Sequence, residues 1–181
     1  MIKEKWLLFK FRHGCQDAFC QLFEAYRDDL LRVAMSLLQD KSVAEDIVHE
    51  VFMHLIQVRK TFELSGSLKG YLAICVANRA RNVNRDSRRM HSLDAGQGVE
   101  RMSGLRRPDQ WAVCSEEFER LRTALLTLPY AQREVVTLRV QGQLTFREMA
   151  ENQGCSMKTV QSRYRYALDK LREQLNGEVS S

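Results

Sequence analysis

The sequence predicts an all-α protein of two small helical domains joined by a flexible linker, the C-terminal one a helix-turn-helix. Three observations lead there. Apolar residues recur at three- and four-residue steps through most of the chain, which is the period of an amphipathic helix. Ser42 with Glu45, and Thr145 with Glu148, have the spacing of capping boxes that open helices. Only two prolines and nine glycines occur among 181 residues, little material for the tight turns of a sheet protein.

The first domain is expected over 1–90, a linker over 91–115 and the second domain over 116–181. The start, MIKEKWLLFKFRHG, holds a short apolar patch broken by Lys10 and Arg12, and no small-residue cleavage site follows, so it does not read as a secretory signal. In DAFCQLFEAYRDDLLRVAMSLL, Phe19, Leu22, Phe23, Tyr26, Leu30, Val33 and Leu37 form the stripe of one amphipathic helix, with a break allowed near its middle. QDKSVAEDIVHEVFMHLIQVRK opens a second helix with Ser42 as N-cap, and its buried stripe is Val43, Ile47, Val51, Phe52, Leu55 and Val58. TFELSGSLKG interrupts the pattern as a loop, and YLAICVANRARNVNRDSRR resumes it as a third helix. The stretch 91–114 mixes Gly, Ser, Pro and charges without period and reads as the linker.

Composition narrows the function. A hydrophobic share of 44% and a charged share of 28% suit a globular protein with a core. The formal charge is +5, which attracts a polyanion only where it is clustered. No apolar run approaches the roughly 20 residues of a membrane span, so stable membrane insertion is not expected. Five scattered cysteines point to reduced thiols and a cytoplasmic location. His13, Cys15 and Cys20 fit no common zinc spacing, and no phosphate loop, nucleophile elbow or catalytic acid pair is found. Neither an enzyme nor a cofactor or metal is expected.

The charge does cluster, in two places. In TFREMAENQGCS, Thr145 and Glu148 cap a short helix, Gly154 supplies the left-handed turn and Ser156 caps the next helix. A short helix, a glycine turn and a longer helix make a helix-turn-helix. On the last helix Val160, Tyr164, Ala167, Leu168 and Leu171 share the core side. Ser156, Lys158, Thr159, Gln161, Ser162, Arg163 and Arg165 leave an outer face without acid until Asp169. Such a face suits base edges and phosphates in a major groove. The second cluster is on the third helix, where Asn78, Arg81, Arg85, Arg88 and Arg89 lie opposite Leu72, Val76, Ala80 and Val83. That stripe would neutralise several phosphates. Just before it, Phe62, Ser65, Ser67, Lys69 and Tyr71 offer aromatic and polar groups of the kind that hold unpaired bases.

DKSVAEDIVHEVFMHL followed by SLKGYLAICVANRARNVNRDSRR resembles the second conserved region of bacterial RNA polymerase sigma factors. LLTLPYAQREVVTLRVQGQLTFREMAENQGCSMKTVQSRYRYALDKLR resembles their fourth region. With no third region between them, the order is similar to that of the extracytoplasmic-function (ECF) branch, over about 16–90 and 117–175. The resemblance implies an alternative sigma factor that binds core RNA polymerase, recognises promoter DNA and helps to open it. It implies a polymerase contact at Glu45, Asp46, His49 and Glu50. It implies that the loop 61–69 holds a base flipped from the minus-ten element while the arginine helix grips the adjoining strand, and that the last helix reads the minus-thirty-five element. An anti-sigma factor is a further partner common in the family. His49, Tyr71, Asn82 and Gln161 depart from the family's usual Gln, Trp, Asp and Lys, so no promoter sequence is assigned. The rival from the residues alone is a regulator that binds duplex DNA by itself, which would have no use for a single-strand loop and arginine stripe. An interaction module that holds polymerase without directing initiation would not need the helix-turn-helix.

Overall fold

The computed structural model describes residues 2–64, 66–93 and 116–177. Those residues form eight helices and no strand. The first group is α1 (Ile2–Arg12), α2 (Gln16–Leu37), α3 (Lys41–Val58) and α4 (Leu68–Leu93). The second is α5 (Glu116–Thr127), α6 (Tyr130–Val140), α7 (Phe146–Gln153) and α8 (Met157–Gly177). From residue 94 onward the expected linker lies outside the described residues. No described helix is long and apolar enough to cross a membrane.

α1 is absent from the expected elements. Leu7, Leu8 and Phe11 are buried, yet Trp6 is 54% and Phe9 60% exposed. Apolar side chains on both faces blur the period, which is why the patch does not read as a helix. α2 runs unbroken through its charged middle, with Leu22, Leu30, Val33 and Leu37 buried as expected. α3 begins earlier than its Ser42 signal. The Asp40 carboxylate accepts from the backbone of Ser42 (2.8 Å) and Val43 (3.3 Å) and is the N-cap. An aspartate two residues upstream reaches both orphan amides, so Ser42 falls inside the helix. α4 likewise starts at Leu68, because Ser67 Oγ accepts from the Gly70 amide at 3.0 Å.

The second group keeps a small core of its own, with Leu125, Leu128 and Val136 against Ala167 and Leu171. The larger cluster is shared. Phe118, Val135, Leu138, Leu144 and Met149 join the core built by α1 to α4, so the two groups pack directly on each other. Polar side chains complete the contact. Arg122 reaches over the end of α2, donating to the carbonyls of Met35 (3.0 Å) and Gln39 (2.7 Å), where a cation also meets the negative end of the helix dipole. The buried Ser36 hydroxyl accepts from Gln141 Nε2 at 3.0 Å. Gly142 comes so close that an added Cβ would sit 2.7 Å from Leu144 Cδ1 and 3.1 Å from Ala73 Cβ; only hydrogen fits there.

Candidate nucleic-acid interface

The helix-turn-helix is assembled from local signals. Thr145 Oγ1 accepts from the Glu148 amide (3.2 Å), and Glu148 Oε2 accepts in return from the Thr145 amide (2.7 Å). The Thr145 hydroxyl, which donates to Glu148 Oε2 at 2.7 Å, and then the Thr145 amide hold the Glu148 carboxyl below the usual carboxylate range. Its contribution is therefore present above the ordinary value of 4.5 and fades as pH falls through the lowered one. Gly154 closes α7 with φ 61°, the left-handed conformation glycine adopts without a Cβ penalty. Ser156 Oγ then accepts from the Thr159 amide at 3.1 Å and starts α8.

On α8, Val160, Ala167 and Leu171 are buried, which turns Lys158, Gln161, Ser162 and Arg165 outward at helical spacing. Lys158, Gln161 and Arg165 are exposed and Ser162 partly so. The Arg165 guanidinium lies 5.3 Å over the Tyr166 ring, and Tyr166 itself is an exposed aromatic beside the strip. Arg163 is placed differently. It turns back to donate to Gln153 Oε1 at 2.9 Å. Ser156 and Thr159 are engaged in the cap, their hydroxyls 2.9 Å apart.

α4 carries its stripe against the second group rather than wholly into solvent. Arg81 Nη2 meets Glu134 Oε1 at 2.6 Å and Asn152 Oδ1 at 3.4 Å, while its Nη1 donates to Asn78 Oδ1 at 3.1 Å. The Glu134 side chain is 4% exposed and that of Arg81 37%. Burial pushes the Glu134 carboxyl above its ordinary range, with Arg81 and then Arg163 pulling it back. Glu134 also accepts from Gln153 Nε2 at 3.1 Å. Arg81, Glu134, Gln153 and Arg163 thus form one chain of bonds that runs from the third expected helix to the last. Arg85 is exposed, and among the described residues its ion-pair partner is Asp86 at 3.7 Å. Arg88 and Arg89 lie on the last turns of α4, their side chains outside the described residues.

In the loop before α4, Ser65 lies outside the described residues. Phe62 is 6% exposed and packs on Tyr71, ring centroids 4.9 Å apart. Burial and the neighbouring Cys75 push the Tyr71 hydroxyl up to about 12, so it remains a neutral group at any working pH. Ser67 is spent on the α4 cap, and Lys69 Nζ pairs with Asp29 at 2.6 Å. The structure therefore brings Phe62 and Tyr71 together and gives Ser67 and Lys69 partners of their own.

The acidic residues of α3 form an open strip. Asp46, His49 and Glu50 are exposed and Glu45 partly so. Because Asp40 takes the capping role, Glu45 is left without it, and among the described residues neither Glu45 nor Asp46 pairs with a cation. Glu50 meets Arg79 Nε at 3.3 Å. Met53, one turn on from Glu50 and 45% exposed, extends this strip with an apolar surface. Its signal in the sequence is a methionine off the buried stripe of an amphipathic helix.

The profile of the ECF sigma factor family matches residues 5–177. The ECF RNA polymerase sigma factor RpoE of Cereibacter sphaeroides is 29% identical over 167 residues, 91% of this chain and 90% of that protein. The ECF RNA polymerase sigma factor SigW of Bacillus subtilis is 25% identical, over 97% of each chain. Among solved structures, the sigma factor RpoE in complex with the anti-sigma factor NepR from Bartonella quintana superposes with a TM-score of 0.68. It is 24% identical and covers 87% of this chain and 96% of that one. CnrH in complex with the cytosolic domain of CnrY gives 0.66 at 21% identity, over 96% and 97%. These two likenesses concern the fold.

Proposed function

The chain belongs to the ECF sigma factor family and acts as an alternative sigma factor in transcription initiation, and we propose that it does so through three separate faces. The outer strip of α8, Lys158, Gln161, Ser162 and Arg165, reads duplex DNA at the minus-thirty-five element. The loop 61–69 with α4 receives the melted minus-ten element, Arg85 and the terminal arginines of α4 on phosphates. The acidic strip of α3, Glu45, Asp46, His49 and Glu50 with Met53, docks on a basic surface of core polymerase. The chain itself makes and breaks no bond, and it works in the cytoplasm, where polymerase is. An anti-sigma factor is the further partner this reading assigns to the same faces.

One observation carries the proposal: cationic helix faces occur on one chain with an acidic face on which, among the described residues, Glu45 and Asp46 have no cation partner and only Glu50 meets one, Arg79, pointing to two partners of opposite charge. Arg81 is tied to Glu134 while the two helical groups stay together, and Arg163 is tied to Gln153 within the second group. Full engagement of DNA then exchanges the Arg81 bond for a phosphate contact, which polymerase favours by holding the groups apart. Filter retention of sheared genomic DNA tests this. The protein alone is expected to retain no fragment at concentrations where protein with core polymerase retains a discrete set. Tight duplex retention by the protein alone overturns the reading and moves it to a stand-alone regulator.

A further inference from the structure

We infer that α1 completes the single-strand site, so that a cleft between its C-terminal turn and the loop residues Lys60, Phe62, Leu64 and Gly66 takes an unpaired nucleotide of the melted promoter strand. The cleft is about 690 Å³, within the roughly 300–1,000 Å³ of small-molecule sites. Its floor is apolar, made by Leu8, Phe62 and Leu64. Phe9 stands at one wall with the His13 ring 4.3 Å from it, held by the bond of His13 Nδ1 to the Phe9 carbonyl at 2.8 Å. Lys5, Arg12 and Lys60 supply the rim, and no aspartate or glutamate lines the cleft. All three cations are exposed, and among the described residues none has an ion-pair partner.

An apolar and aromatic floor under a rim of unpaired cations is the arrangement that holds a base by its face and its phosphates by charge. A duplex keeps its bases stacked inside and cannot fill such a cleft, so the occupant is a single strand. The cleft is also continuous with the proposed minus-ten loop, since Phe62 and Leu64 belong to both. Phe9 is 60% exposed and Trp6, one turn earlier, 54%. The Trp6 ring already carries Lys10 Nζ 3.7 Å over it, so it is the Phe9 ring, left in water beside unpaired cations, that costs the free protein burial energy. A strand lying across α1 recovers it. This inference rests on the reading of the loop as a single-strand site and adds α1 to it.

The test uses holoenzyme made with the full chain and a fluorescein-labelled single strand carrying the minus-ten region of a promoter it retains. Phe9→Ala is expected to weaken binding roughly tenfold, with stacking on one base lost, while leaving the salt dependence unchanged. Arg12→Ala and Lys60→Ala are expected to lower the slope of log affinity against log salt by about 0.7 each. Phe9→Tyr restores affinity. These side chains are exposed, and circular dichroism of the variants verifies the fold. Unaltered affinity and slope in all three alanine variants, with wild-type holoenzyme still binding the strand, overturn the role of α1 and leave the loop reading intact. No binding of the single strand by wild-type holoenzyme overturns both.

Discussion

Replacing Lys158 and Arg165 together with alanine is expected to lower promoter affinity of the holoenzyme by about a hundredfold while leaving its affinity for core polymerase unchanged. The size follows from the geometry of α8. Both side chains stand on the strip opposite the buried Val160, Ala167 and Leu171, and neither holds the fold together. A lost base or phosphate contact from such a residue costs about 1–3 kcal/mol, and two at the lower half of that range make the hundredfold. Arg163→Ala behaves otherwise, because that guanidinium donates to Gln153 Oε1. It is expected to lower the melting temperature as well as DNA affinity. Fluorescence anisotropy on a promoter duplex, with core polymerase titrated separately, distinguishes the two. Equal loss of core binding in the double variant would place α8 on the polymerase instead.

The second large effect concerns Arg81. Arg81→Ala strips the buried Glu134 carboxylate of its ion-pair partner and leaves it the Gln153 hydrogen bond and the weaker pull of Arg163. Breaking a buried pair on one side costs about 3–5 kcal/mol, and the partial exposure of Arg81 reduces this to about 2. For a chain of this length that lowers the melting temperature by about 4–8 °C. The loss depends on pH in a definite sense. Burial already holds the folded Glu134 above its ordinary 4.5, with Arg81 the first influence pulling it down. Removing Arg81 raises the folded value further. Below 4.5 the carboxyl is protonated in folded and unfolded chains alike, and variant and parent differ least. As pH rises through the raised value, the folded variant must ionise an uncompensated buried group, and its deficit grows. Glu134→Gln removes that titration and leaves a guanidinium that water can reach, so its deficit stays small and flat between pH 5 and 8. A deficit of Arg81→Ala that did not change with pH would show that Glu134 is not its cause.

The parts of the site legible in the sequence are those made by neighbours in the chain. Thr145 with Glu148, Gly154 and Ser156 each act within four residues, and each sits where its spacing predicts. The outer strip of α8 follows from them by helical period alone. What the sequence leaves hidden is tertiary. Arg81 and Glu134 are 53 residues apart, and nothing local says that an arginine on a cationic stripe has a buried carboxylate waiting. Lys69 finds Asp29 across 40 residues for the same reason. Phe62 reads as a base-holding aromatic in a loop, whereas its ring is largely in the core against Tyr71. α1 is hidden because its exposed Trp6 and Phe9 cancel the period that its buried Leu7, Leu8 and Phe11 create. The same cancellation is what leaves aromatic surface available beside the loop. At α3 the sequence points to Ser42 as the cap, whereas the Asp40 carboxylate, two residues upstream, takes that place by reaching two amides.

Run-off transcription with purified core polymerase and fragmented genomic DNA, with and without this chain, reads out initiation by the chain itself. New discrete start sites that require the chain are expected, weakened by Arg85→Ala and abolished by the Lys158 and Arg165 double variant. Transcripts whose start sites and amounts are the same without the chain would contradict a role of the chain in initiation.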